Sequence, residues 1–184
     1  MSNNIQQQTT INIQEKANLI WAIADKLVGV YKPHEYGNVI LPMCVIKRFE
    51  DTLAPTKQAV LDTNAKLDKD GIVVKKGFLE TAAGQQLYNL SPFTFQSLLN
   101  DPENIKENFE SYLNHFSENV IDIIHRMDFD RELQKMADNN VLYLVIKEFC
   151  TSKAYLGADL VTSVDMGYIF EELVRKFSES YDEQ

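Results

Sequence analysis

The sequence predicts an all-α protein: a single multi-helix domain of about eight helices, with at most a short strand or hairpin. Three observations carry that prediction. Apolar residues recur at helical spacing near both ends, at Ile13, Ala17, Ile20, Trp21, Ala24, Leu27, Val28 and Tyr31, and again at Met166, Ile169, Phe170, Leu173, Val174 and Phe177. Strong helix-start signals stand inside the chain. Asp101-Pro102-Glu103 offers a cap, a proline at the first helical position and an acid in the first turn, and Thr162-Ser163-Val164-Asp165 forms a capping box. Only seven glycines and five prolines interrupt the 184 residues, too few for a turn-rich sheet.

Taken in order, residues 1–12 are rich in Asn, Gln and Thr and are expected to form a flexible N-terminus. A first helix starts beside Asn12 and ends at Gly29 and Pro33. Tyr31-Lys32-Pro33-His34-Glu35-Tyr36 is an elbow whose aromatics are expected to pack on Trp21, the competing reading being a surface elbow that carries Lys32 and His34 toward a ligand. The second helix runs from about His34–Tyr36 to Leu53, and its Val39–Ile46 segment is apolar on nearly all sides, so other elements must cover it. Pro42 inside that segment either kinks the helix or opens a new one. Pro55 starts a third helix bearing Val60, Leu61 and Leu67; Lys66–Lys76 is a charged loop with a scrap of strand at Ile72-Val73-Val74. A short helix spans Phe78–Ala83 and stops at Gly84, and Leu87–Phe95 is aromatic and irregular. Helices with faces at Ile105–Phe116 and Val120–Met127 follow, then shorter ones at Leu133–Met136 and Leu142–Phe149. The last helix follows the capping box, with Arg175 and Lys176 in its final turn. The helical domain is therefore bounded at 13–162, with 163–184 as a C-terminal helix leading into a linker.

Charge restricts the function. Residues 1–99 carry ten Lys/Arg against nine Asp/Glu, a balance of +1, whereas residues 100–184 carry eight against eighteen, a balance of −10. An acidic half repels phosphate, so contact with nucleic acid must come from the first half or from a partner that supplies positive field. Ser2–Gln8 is polar rather than a secretory leader, and no apolar run approaches the roughly 20 residues that span a bilayer. Cys44 and Cys150 sit in apolar helical patterns, as buried free thiols do, and the expected compartment is the cytoplasm.

No catalytic constellation emerges. The glycines are isolated and build no phosphate loop. His34, His115 and His125 lack metal-ligand spacing, and Asp122, Asp128 and Asp130 near His125 suit a solvated helix face. No catalytic, cofactor-binding or metal-binding residue is assigned.

Trp21-Ala22 with Ala24-Asp25-Lys26-Leu27, then Gly29, Tyr31, Tyr36, Val39-Ile40-Leu41-Pro42 and Lys47-Arg48-Phe49 form a familiar block. With Leu87-Tyr88-Asn89, Phe93-Thr94, Phe129-Asp130 and Met166–Leu173, it resembles the N-terminal helical domain of the modification (M) subunits of type I restriction-modification systems. Trp21, Tyr31, Tyr36, Pro42 and Phe170 serve as its structural signature. The resemblance implies a parent enzyme that transfers methyl from S-adenosylmethionine to adenine N6 in DNA, partnered by a specificity subunit, a second M subunit and in some assemblies a restriction subunit. It implies that this domain helps enclose DNA and dock the other subunits. The cofactor loop and the Asn-Pro-Pro-Phe tetrapeptide of the catalytic domain are absent. The faint echo in Asn89-Leu90-Ser91-Pro92-Phe93 lacks the strand-end context that grips a flipped base. The chain is read as a fragment, inactive alone, whose linker leads to the missing methyltransferase domain.

Within that resemblance Lys47, Arg48, Lys57, Lys75 and Lys76 are the candidates for DNA-backbone contact, orienting the duplex without reading its sequence. For Lys47 and Arg48 the competing expectation is a charged helix end paired with Glu50 and Asp51. The alternative function is a free-standing helical module that binds protein and has no DNA role.

Overall fold

Helix α2 (Tyr36–Leu53) is central because its sequence leaves it little polar face to show to water. Val39, Ile40, Met43, Cys44 and Ile46 are all buried, and a helix apolar around most of its circumference needs neighbours on several sides. It finds them in α1 (Ser2–Leu27), α8 (Phe129–Asp138) and α10 (Ser163–Asp182). The computed structural model describes the backbone over residues 2–182 and the side chains over residues 13–177. The remaining helices are α3 (Lys57–Lys69), α4 (Lys76–Ala83), α5 (Phe95–Leu98), α6 (Ile105–Asn114), α7 (Glu118–Arg126) and α9 (Leu142–Phe149). Short 3-10 turns lie at Pro33–Glu35, Ala54–Thr56, Pro102–Asn104 and Ser152–Ala154. Among the described residues the chain is all-helical, its only β pairings being isolated bridges between Val28 and Tyr31 and between Asn89 and Phe116. None of these helices is long and apolar enough to cross a membrane.

The junctions follow from local chemistry. Gly29, Gly71 and Gly84 adopt positive φ; at Gly84 this closes α4, with its N–H donating to the carbonyls of Glu80 and Thr81. Asp128 and Asn140 take the same left-handed region between α7 and α8 and between α8 and α9, where short polar side chains are the tolerated non-glycine choice. The capping box before α10 forms reciprocally. The Thr162 N–H donates to Asp165 Oδ2 at 2.9 Å, and the Asp165 N–H donates to Thr162 Oγ1 at 3.1 Å.

Several local expectations are corrected. Helix α1 begins at Ser2, not beside Asn12, since no glycine or proline precedes Ile13 to stop it; the flexible terminus expected at 1–12 lies outside the described side chains. Pro42 stays inside an unbroken α2 and opens no new helix; the buried flanks hold the helix although the proline removes one backbone donor. The charged loop shrinks to residues 70–75 without a strand, because α3 continues through Lys66 and Lys69, whose charges suit a helix C-terminus. Asp101 makes no side-chain cap; its carboxylate instead accepts from the Asn104 and Asn108 amides. Arg175 and Lys176 do not end α10, which runs on to Asp182; both pair with Glu172 one turn back.

A single core joins these elements. Its aromatic centre is Phe95 of α5, edge-on to Phe109, Tyr112 and Phe149 at centroid separations of 5.9, 5.9 and 6.3 Å. The one-turn helix α5 is fixed by Thr94, which accepts from the Ser97 N–H while the Ser97 hydroxyl accepts from the Thr94 N–H. Helices α3 and α4 pack chiefly on each other and form a hairpin whose Val60, Leu67, Leu79 and Ala83 belong to the same core. Phe95→Ala should lower the unfolding free energy by about 3–5 kcal/mol in urea titration; a loss near zero would deny the ring cluster this role.

Candidate functional site

The charged shoulder at the end of α2 turns inward. Lys47 is only 6% exposed. Its ammonium donates to Asp51 Oδ2 at 2.6 Å and to the Ala154 carbonyl at 3.1 Å. Asp51 Oδ2 also accepts from the Leu156 N–H at 2.9 Å. Arg48 Nη1 donates to the carbonyls of Leu156 at 3.1 Å and Val161 at 2.7 Å, and burial holds its guanidinium below the usual range. From α1, the buried Lys16 donates to the Lys153 carbonyl at 2.6 Å. Three cations thus hold the strap that joins α9 to α10, bonding carbonyls that lie outside any α-helix or sheet. Of the two readings of Lys47 and Arg48, the pairing with Asp51 is realised for Lys47, while Glu50 turns away.

Glu50 and Lys57 face a cleft of about 450 Å³ with Asp51, Pro92, Phe149 and Cys150. Glu50 accepts from the Phe95 N–H at 2.7 Å and the Tyr112 hydroxyl at 2.9 Å, and burial pushes its carboxyl above the ordinary value. Lys57 donates to the Phe93 carbonyl and lies 5.3 Å from the Tyr112 ring centroid; burial lowers its pKa. No buried side-chain nitrogen or oxygen among the described residues lacks a partner. Burial raises the Cys44 thiol to about 12 and the Cys150 thiol to about 11, far from reactive thiolates. Asn89 is structural as well. Its amide donates to the Tyr112 carbonyl, and its oxygen accepts from the Ser91 N–H. Among the described residues no group of His, Cys, Asp and Glu is arranged to hold a metal ion.

Lys75 and Lys76 stand on the α3–α4 hairpin, apart from the shoulder and the cleft. The Lys75 ammonium is held by Asn64 Oδ1 at 3.0 Å and by the Asp68 carboxylate. The Lys76 side chain is 80% exposed, with Glu80 3.9 Å away. The five lysine and arginine candidates therefore do not share one setting: Lys47 and Arg48 brace the strap, Lys47 also lines the cleft with Lys57 at the start of α3, and Lys75 and Lys76 sit at the turn of the hairpin.

The signature residues are framework. The Tyr31 hydroxyl donates to the Glu132 carbonyl at 3.3 Å, with the Lys135 ammonium 4.2 Å from its ring centroid. Tyr36 meets Phe177 edge-on at 5.8 Å. The elbow is thus clasped by α8 and α10, not packed on Trp21 as expected; Trp21 lies under Lys176. Phe170 packs half-buried against the core. Lys16 and the strap were missed by sequence reasoning, for their partners lie more than 100 positions apart.

The family model described as the HsdM N-terminal domain matches residues 16–149. No curated protein and no solved structure matches the chain.

Two outcomes test the inward-facing chemistry. Lys47→Met leaves Asp51 without its cation and should cost about 3 kcal/mol in denaturant titration, whereas Lys76→Met should stay within about 0.5 kcal/mol of wild type. For Glu50, burial raises the folded-state pKa above the ordinary 4.5. The folded chain therefore keeps that proton to higher pH than the unfolded chain, and the stability contributed is fullest below 4.5 and is lost as pH rises through the folded-state value. Glu50→Gln removes the titration. Wild-type stability relative to Glu50→Gln should accordingly fall as pH rises above 4.5 and through the folded-state value; a rise would reverse the assignment.

Proposed function

Because this chain belongs to the HsdM N-terminal domain family, the helical N-terminal domain of type I restriction-modification methyltransferase subunits, we propose that it is the DNA-clamping and subunit-docking arm of such an enzyme. The observation that carries the DNA side of this reading is the placement of its lysines. Lys47 and Arg48 are committed to the strap and Lys57 donates into the fold, whereas Lys76 stands in solvent on the hairpin with Lys66 and Lys69 exposed nearby. Phosphate contact then falls to the hairpin, with Lys76 leading and Lys75 beside it, and orients the duplex without reading it. Lys47 and Arg48 serve that arm by bracing it.

Subunit docking falls to the acidic half. The outer side of α10 and the strap before it show Leu160, Val164 and Tyr168 to solvent, an apolar row suited to a protein surface. In the parent protein, S-adenosylmethionine and the adenine to be methylated belong to a catalytic domain, and no residue of this chain is given a part in methyl transfer. The site recognised on DNA belongs to the specificity subunit, with a second M subunit, and in some assemblies a restriction subunit, completing the complex.

The test uses the methyltransferase assembled from the full-length subunit. Replacing Lys75 and Lys76 by Gln should flatten the dependence of log affinity on log salt by about one unit for each phosphate no longer neutralised. An unchanged slope in a fully assembled complex would remove the hairpin from the DNA side and favour a module that binds protein alone.

A further inference from the structure

The tip of the α3–α4 hairpin is apolar and uncovered. Val73 is 88% exposed, Val74 81% and Phe78 54%, while Leu67 and Leu79 beneath them are buried in the hairpin. Two large apolar side chains exposed on the turn, with Phe78 exposed in the first turn of α4, mark an interaction surface more than a solvated loop. The backbone gives the tip its shape. Gly71, at φ +72°, reverses the chain after α3, the Ile72 N–H returns to the Leu67 carbonyl at 2.9 Å, and residues 73–75 run without a hydrogen-bonded neighbour strand before α4 begins. The result is one short irregular segment, ending in Lys75 at helical φ and ψ, between two helices.

Its charge departs from that of the rest of the molecule. Residues 66–76 carry Lys66, Lys69, Lys75 and Lys76 against Asp68 and Asp70, a balance of +2 in a chain of net charge −9. Asp68 is itself bound to Lys75.

We propose that this tip enters the minor groove of duplex DNA, with Val73 and Val74 against the sugars and base edges and the lysines at either end taking the flanking phosphates. The inference rests on the DNA-clamping reading above and adds the manner of contact. The minor groove is about 6 Å wide, room for a single extended chain but not for a helix. Apolar side chains flanked by basic ones are the equipment of proteins that wedge into it. The acidic remainder of the chain is repelled by phosphate, which favours approach through the tip lysines, although Glu80, Glu118 and Asp122 line one cleft with Val74, Lys75 and Lys76. A protein partner would also cover valines, but lysine is depleted at the centre of such interfaces, and here Lys75 and Lys76 directly follow the apolar tip, with Asp70 and then Lys69 before it.

The test is Val73→Ser combined with Val74→Ser in the assembled methyltransferase. Both side chains are exposed, so thermal stability and subunit assembly should match wild type. Duplex affinity should fall about tenfold at fixed salt. The salt slope should not change, because the same lysines still neutralise the same phosphates, and hydroxyl-radical protection of sugars facing the minor groove should weaken over one short stretch. Wild-type affinity and protection would overturn the wedge. So would failure of subunit assembly on size exclusion, which would assign the tip to a protein interface. The Lys75 and Lys76 substitutions report separately. A flattened slope there with no effect of the serines removes the wedge and keeps the clamp, and an unchanged slope removes the clamp itself.

Discussion

Four backbone carbonyls between α9 and α10, two of them in the 3-10 turn Ser152–Ala154, take their side-chain donors from three cations on the far side of the sequence. Lys16, Lys47 and Arg48 reach Lys153, Ala154, Leu156 and Val161, and Asp51 completes the set by holding Lys47 and accepting from the Leu156 N–H. Each cation loses hydration on burial, and a charge so placed is tolerated only when it is paired and hydrogen-bonded. The strap could be held by apolar packing alone at less risk. The polar solution fixes it in one register, because a carbonyl that slips from its cation is left without a partner.

Much of this fold is legible in the sequence because most of it is local. The stripes of α1 and α10, the box at Thr162–Asp165 and the stop at Gly84 each depend on residues within a turn or two of one another. The all-round apolar character of Val39–Ile46 announces a buried helix. What the sequence hides is chemistry that joins distant positions. Lys47-Arg48 on a helix end looks like a solvated or DNA-facing shoulder until the strap, more than 100 residues away, is brought against it. Thr94 and Ser97 cap a one-turn helix that its aromatic flanks disguise as irregular chain. Asp101 has every local feature of a cap, yet two asparagine amides reach it.

The candidate site is legible to the same degree. Lysines and arginines are the residue types that bind phosphate, but type alone does not say which cations the fold consumes internally. Burial separates them. Lys47 inside, Lys57 half inside and Lys76 outside are indistinguishable in sequence and chemically distinct in the structure. A protein of net charge −9 that turns several of its cations inward retains little positive field, so any DNA contact must be short, peripheral and assisted by partners. The hairpin meets that description. It is tied back by the Thr56 hydroxyl donating to the Ala83 carbonyl at 2.9 Å.

The two surfaces assigned to partners are joined through one helix. Near its C-terminal end α2 holds α5 through Glu50 and the strap before α10 through Lys47, Arg48 and Asp51, and the 3-10 turn that follows leads straight into α3 of the hairpin. The family match ends at residue 149, just before the strap, so these bonds fasten the matched body to the helix beyond it. An arm that presents a narrow tip to one partner and an apolar helix face to another works only if the separation between them is fixed. Packed side chains and paired charges are what transmit such a constraint, since they have discrete arrangements and do not yield continuously. A central helix that is buried along its length and ionically bonded at its end provides that stiffness, which gives a physical reason for the apolar run and the charged shoulder to be adjacent in the sequence.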